Sequence, residues 1–200
     1  MAKFCGQCGT KLPDEALFCF SCGTKQDGTA VASEPVKEVP AKLTKEVPDA
    51  YMREKSYKED LEDTVFGVVG GKSYVSFKNQ LRPTQTKNAI SFCNNDFLAS
   101  DIVMVRDTTD FSSMKEGLIV TYYGAYYIWK GKMQSKIKFN QIQSMRNASS
   151  YGLGGLEFTL YNGRKVDFQL HSSKQFLIDL FVEICECISR HRENYPIEVN

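Results

Sequence analysis

The fold of the N-terminal part depends on one stretch, FCGQCGTKLPDEALFCFSCGT at residues 4–24. It contains two Cys-x-x-Cys pairs, Cys5/Cys8 and Cys19/Cys22, with ten residues between the pairs. Two intervening residues let both sulfurs of a pair turn toward one point, and two such pairs close a tetrahedron around Zn²⁺. We therefore predict one structural zinc ion, bound by all four thiolates and without an open position for catalysis.

Three other uses of four cysteines fit this chain less well. Disulfides are typical of secreted mini-domains, but the chain opens Met-Ala-Lys-Phe-Cys without an apolar signal segment. A redox Cys-x-x-Cys pair stands alone beside a βαβ unit, which this sequence does not predict. A rubredoxin-like iron site needs a longer segment between its two knuckles. We therefore prefer zinc.

The first 26 residues resemble the short zinc-ribbon modules at the N-termini of many bacterial proteins. Those modules read CxxCG, then a lysine-leucine-proline segment, then FCxxCG. The segment CGQCGTKLPDEALFCFSCGTK matches this pattern except at Phe20, where a proline is common. Lysines and carboxylates balance within residues 1–28, which disfavours nucleic-acid binding by the ribbon.

Composition indicates an ordinary folded protein of 200 residues, with 42% hydrophobic and 24% charged residues. The net charge of +1 provides no overall basic field for nucleic acid. No apolar run approaches the roughly 18–20 residues that span a bilayer. We expect a cytoplasmic protein, with peripheral attachment to a membrane as the alternative.

Residues 27–60 have the composition of a flexible linker, because prolines and alternating charges replace aromatic residues and VKEVP recurs as TKEVP. Residues 61–97 are expected to form an N-terminal extension of the next domain. Within it, glycines at 61–77 predict a hairpin or loop, and apolar spacing predicts a short helix over 85–97. The glycines precede Lys72-Ser73, but their spacing does not match a phosphate-binding loop.

From residue 98 the apolar period becomes two, which predicts antiparallel strands separated by turn residues. Asn162-Gly163 is the strongest hairpin signal. An amphipathic helix follows, with Ser172 as N-cap and an apolar stripe along its length. The seven strands are expected at residues 102–105, 117–122, 125–129, 136–139, 142–146, 156–161 and 165–170. The predicted class is mainly β (α+β).

The segments DTTDFSS (107–113), KEGLIVT (115–121) and GAYY (124–127) resemble the pattern of bacterial pleckstrin-homology-like (PH-like) domains. This resemblance implies a seven-stranded antiparallel barrel or sandwich over residues 98–191, closed by the C-terminal helix. Residues 192–200 are then expected to be a polar tail.

No catalytic constellation is evident, so we do not expect an enzyme. His171 and His191 lack a Cys or Asp partner at a telling spacing and are expected at the surface. The remaining cysteines, Cys93, Cys185 and Cys187, have no metal-type spacing and are expected to be buried as small hydrophobic residues.

The charged feature of the second domain is a lysine-rich hairpin between the third and fourth strands, formed by Lys130, Lys132, Lys136 and Lys138. These lysines are candidate contacts for anionic lipid head groups, against the alternative of an ordinary solvated hairpin. The sequence favours a zinc-binding adaptor that binds another protein through the ribbon, the PH-like domain or both. Anionic-membrane association is the alternative, and nucleic-acid binding by the ribbon is disfavoured.

Overall fold

The structure is a computed structural model that describes residues 3–4, 11–12, 49–72, 74–109, 113–148, 155–169, 175–192 and 194–200. The chain divides into two compact units, Met1–Ala41 and Lys42–Asn200. In the first unit, β1 (Lys3–Phe4) pairs antiparallel with β2 (Lys11–Leu12). Both cysteine pairs and most of the predicted linker lie outside the described residues.

The second unit contains two separate sheets. The larger has five antiparallel strands in chain order, namely β3 (Val75–Phe77), β4 (Ile102–Asp107), β5 (Gly117–Thr121), β6 (Gly124–Trp129) and β7 (Lys132–Lys138). The smaller has the order β10 (Lys165–Gln169), β9 (Gly155–Leu160), β8 (Ile142–Asn147) and β11 (Glu198–Val199), with β11 parallel to β8. No closed barrel is found among the described residues.

The mixed helix–strand class is confirmed, and β4 to β10 correspond to the seven predicted strands. Two short strands add to them at sheet edges: β3 pairs with β4, and β11 pairs with β8. The last of these lies in the predicted polar tail, where Arg192 and Ile197 are also buried. The C-terminal residues are therefore part of the fold.

Helix α1 (Lys55–Val69) corrects the prediction of a hairpin or loop over 61–77. Its glycine at position 67 is exposed, whereas one residue per turn is buried. A row at i, i+4, i+8 and i+12 forms one face of a helix, and burial of that face outweighs the low helix propensity of glycine. The buried row comprises Tyr57, Leu61, Val65 and Val69. The predicted end of the linker at residue 60 falls inside this helix.

Two further helices complete the unit, α2 (Pro83–Phe92) and α3 (Gln175–Arg190). The stripe of α3 is buried as predicted, and α3 packs against α1 in a core shared by both sheets. A second core lies on the other face of the five-stranded sheet, where Ala89 of α2 and Cys93 pack with Ile119 and Tyr126. Both faces of β4, β5 and β6 are therefore covered by protein.

Gly124 begins β6 at a point where a side chain has no room. A Cβ atom there would lie 2.3 Å from the carbonyl oxygen of Ile137 on β7. We expect Gly124→Ala to lower the free energy of unfolding by about 2–3 kcal/mol. The matched control is Gly67→Ala, because a Cβ there meets nothing within 4 Å and an alanine in a helix is favoured over glycine by about 0.5–1 kcal/mol. Urea denaturation of both variants measures the difference; equal stabilities would contradict this packing.

Candidate functional sites

The predicted zinc ligands Cys5, Cys8, Cys19 and Cys22 lie outside the described residues. The strands that flank the first pair are described, and their register joins Lys3 to Leu12 and Phe4 to Lys11. These two strands lie on either side of Cys5 and Cys8 in the sequence. Four thiolates are the donor set of closed structural zinc sites.

The lysine-rich hairpin is tighter than predicted, because β6 and β7 are joined by only two residues. Lys130 and Gly131 have φ values of 52° and 70°, the left-handed conformation of a type I′ turn. The strand β7 then begins at Lys132 rather than after residue 134.

A β-bulge distributes the lysines over both faces of the sheet. Ile128 pairs with Met133, but its neighbour Tyr127 pairs with Ser135, so one extra residue of β7 interrupts the alternation. Lys132 pairs with Trp129, whereas Lys136 pairs with Tyr126 on the opposite face. The four predicted lysines therefore do not share one surface.

Lys136 is also engaged by protein. Its Nζ atom lies 3.2 Å from Oδ2 of Asp96, which also accepts a hydrogen bond of 2.9 Å from the Tyr126 hydroxyl. Burial tends to raise the pKa of the Asp96 carboxyl, but the hydrogen bonds from Tyr126 and Lys136 outweigh it and lower that pKa. Lys136 therefore helps to attach the segment after α2 to the sheet.

A different pair of lysines, Lys115 and Lys130, lies together at one end of the five-stranded sheet. They line a concave surface that encloses a volume of about 670 Å³. The other residues that line it are Phe92, Thr109, Ser113, Glu116 and Gly131. The Gly131 amide donates a hydrogen bond of 2.8 Å to the Lys115 carbonyl, which holds the two segments side by side. Sequence reasoning missed Lys115, because its proximity to Lys130 depends on the register of β5 and β6, in which Gly117 pairs with Ile128.

The buried Asp107 positions this surface. Its carboxylate accepts hydrogen bonds from the Met114 amide (3.0 Å), from Nε2 of Gln85 (3.1 Å) and from the Thr109 amide (3.0 Å). Both described ends of the β4–β5 connection are thereby attached to the end of β4. Lys115 follows directly after this anchored point.

A second cluster of polar side chains joins α1 to α3. Arg190 donates to both oxygens of the Asp60 carboxylate, at 2.9 and 3.2 Å, and Nε2 of His191 lies 3.0 Å from Oδ2. These contacts, led by the Arg190 hydrogen bonds, hold the pKa of Asp60 below its ordinary value despite partial burial. His191, expected at the surface, is half-buried, and its partner Asp60 is too distant in sequence for spacing to indicate it. His171 lies outside the described residues.

Comparison with known proteins gives one match. Residues 4–26 fit the family model of the zinc-ribbon domain. The match indicates zinc binding by this part of the chain. The chain has no significant match among curated proteins or among solved structures. In the part of the chain that the structure describes, no helix is long and apolar enough to cross a membrane.

Proposed function

We propose that this protein is a non-catalytic adaptor in which the zinc ribbon and the larger unit act as binding modules. The observation that carries the proposal is the zinc-ribbon match at residues 4–26, which spans Cys5, Cys8, Cys19 and Cys22. Four thiolates fill the tetrahedral coordination of one zinc ion and leave no position for a water or a substrate. A ribbon of this kind presents a surface and performs no chemistry at its metal.

The larger unit is proposed to be a PH-like domain. Support comes from its element order, in which β4 to β7 form one antiparallel sheet, β8 to β10 continue in a second sheet, and α3 follows. The arrangement corresponds to the sandwich form rather than to a closed barrel. In addition, α1 and α2 pack against the two cores, and neither helix belongs to the pattern of seven strands and one C-terminal helix.

The state of the thiols in the larger unit supports a non-catalytic role. Burial raises the pKa of Cys93, Cys185 and Cys187 to about 12 in each case. A nucleophilic cysteine needs a lowered pKa and access to its substrate, and these three thiols have neither. None of them is prepared to act as a nucleophile.

An affinity capture from the native host tests the adaptor proposal. The full chain, a Cys5→Ser/Cys22→Ser variant and a chain that lacks residues 1–26 serve as baits, and each captured protein is then purified and titrated directly. We expect at least one protein to bind the full chain and to lose more than tenfold in affinity for the variant. Binding that is identical for all three baits would reject the role of the ribbon.

Association with anionic membrane surfaces is the second candidate function, and the concave surface of Lys115 and Lys130 favours it. Two exposed lysines offer positive charge to a phosphate group, whereas the hydroxyls of Ser113 and Thr109 already donate to Thr109 and Asp107. The candidate contacts are thus Lys115 and Lys130, with Lys132 nearby in sequence, rather than Lys136 and Lys138.

We expect Lys115→Glu/Lys130→Glu to weaken binding to phosphatidylserine vesicles at least about thirtyfold, since each lysine near an anionic surface contributes about 1 kcal/mol and each glutamate adds repulsion. Vesicle flotation measures the effect. The control, Lys87→Glu/Lys138→Glu, makes the same change in net charge at exposed positions outside this surface. Recovery with neutral vesicles equal to that with anionic vesicles, or equal losses for both variants, would reject the surface.

A further inference from the structure

Asp60, Cys187 and His191 bring three different metal-binding groups together at the contact between α1 and α3. The carboxylate oxygen, the thiol sulfur and the imidazole nitrogen all lie within 4.8 Å of one another. We propose that these three residues form a second metal site, separate from the ribbon, and that it binds zinc. The proposal does not depend on the adaptor function.

The helices position the three ligands without any need for a loop to close. Cys187 lies on α3 and His191 follows its last residue, four positions later, so both lie on the same side of the helix end. Asp60 projects from α1, one residue before the buried Leu61. The T-shaped contact of the His191 ring with Tyr57, at 5.4 Å between centroids, holds the imidazole beside α1.

The donor set selects the class of metal. Calcium and magnesium take oxygen ligands only, so a thiolate and an imidazole exclude them. Sulfur, nitrogen and oxygen ligands together suit zinc, which binds Cys at about 2.3 Å and His or Asp at about 2.0–2.2 Å. Binding displaces the proton of the Cys187 thiol to solvent, and the His191 nitrogen that faces Asp60 must be unprotonated.

The spacing of the ligand atoms is close to what a tetrahedral site requires. Metal–ligand distances of about 2.0–2.3 Å place neighbouring ligand atoms about 3.3–3.8 Å apart. His191 and Asp60 are already 3.0 Å apart, so their contact must open slightly while the thiol approaches. No pair of the three ligand atoms is more than 4.8 Å apart, so side-chain movements of about 1 Å bring them to the spacing of a zinc site.

The surroundings also match those of a metal site. Arg190 donates to both oxygens of Asp60 and so orients the carboxylate, as partners of metal-binding carboxylates do. Cys187 is buried at the base of the cluster, whereas the side chains of His191 and Asp60 are 20% and 33% exposed. The exposed side of the cluster provides an entry path for the metal, and a solvent water would be the fourth ligand.

Zinc content of four full-length chains tests the site: wild type, His191→Gln, Cys187→Ser and Cys185→Ser. Cys185 is the matched control, because it lies on the same helix, is equally buried and contacts Met145 rather than a metal ligand. After incubation with zinc chloride and gel filtration, we expect wild type and Cys185→Ser to hold one zinc more per chain than the other two. Zinc should also raise the Tm of wild type but not that of His191→Gln.

His191→Gln decides the question if Cys187→Ser fails to fold, since His191 is partly exposed and glutamine can still hydrogen bond to Asp60. Equal zinc content in wild type, Cys185→Ser and His191→Gln, with equal shifts in Tm, would overturn the proposal and leave the cluster as a hydrogen-bonded contact. The Cys5→Ser/Cys22→Ser chain separates the two sites, because it should lose the ribbon zinc and retain this one.

Discussion

Replacement of Arg192 by alanine is expected to lower the free energy of unfolding by about 3–5 kcal/mol. The side chain is only 3% exposed. Its guanidinium donates hydrogen bonds to the Tyr51 hydroxyl at 2.8 Å, to the Ile142 carbonyl at 2.9 Å and to the Phe139 carbonyl. Alanine would leave these acceptors buried without their donor and would also remove the contacts with the rings of Tyr51 and Tyr161.

Urea denaturation followed by circular dichroism measures this loss. Arg192→Lys is expected to recover only part of the stability, because an ammonium group cannot reproduce the planar fork that reaches separate carbonyl groups. The control is Arg164→Ala at an exposed position, with an expected change within about 0.5 kcal/mol. A change below about 1 kcal/mol for Arg192→Ala would show that the buried guanidinium does not hold the C-terminal segment to the sheets.

The second large effect is expected at the ribbon. Cys5→Ser/Cys22→Ser should leave the chain with one zinc ion fewer than wild type, because each pair loses a thiolate. A segment of this size cannot bury a core that sustains it, and zinc binding supplies about 10–16 kcal/mol in comparable modules. The ribbon should therefore unfold, whereas the larger unit, whose two cores contain only residues between 51 and 197, should keep its Tm.

Elemental analysis of the gel-filtered protein measures the zinc, and calorimetry measures the Tm. The matched control is Cys93→Ser/Cys185→Ser, which makes the same two replacements at buried cysteines outside the ribbon and should retain the ribbon zinc. Full zinc content in Cys5→Ser/Cys22→Ser would show that the ligands are assigned to the wrong residues.

Local patterns were sufficient to predict much of this fold. The seven strands follow from alternation of apolar residues and from turns such as Asn162-Gly163, and α3 follows from its apolar stripe. The zinc ribbon follows from the spacing of its cysteines, since both members of each pair lie three positions apart, and the family match covers them. All of these signals lie within a short window of the chain.

The features that were missed depend on contacts between distant segments. The buried row of α1 is stabilised by its contact with α3, which is distant in sequence. The glycines at 67, 70 and 71 instead favour a loop when the sequence is considered alone. Arg192 looked like the first residue of a polar tail because its acceptors belong to Phe139 and Ile142. Likewise, no short-range pattern brings Asp60 to His191.

We propose that four thiolates hold the ribbon zinc and leave no open position. This coordination is measured by X-ray absorption at the zinc edge on the full-length His191→Gln chain, which lacks a ligand of the second site. We expect four sulfur ligands at about 2.3 Å and no lighter ligand. A spectrum that requires a nitrogen or oxygen ligand in place of one of the sulfurs would contradict this coordination, because one position would then be held by a group other than a thiolate.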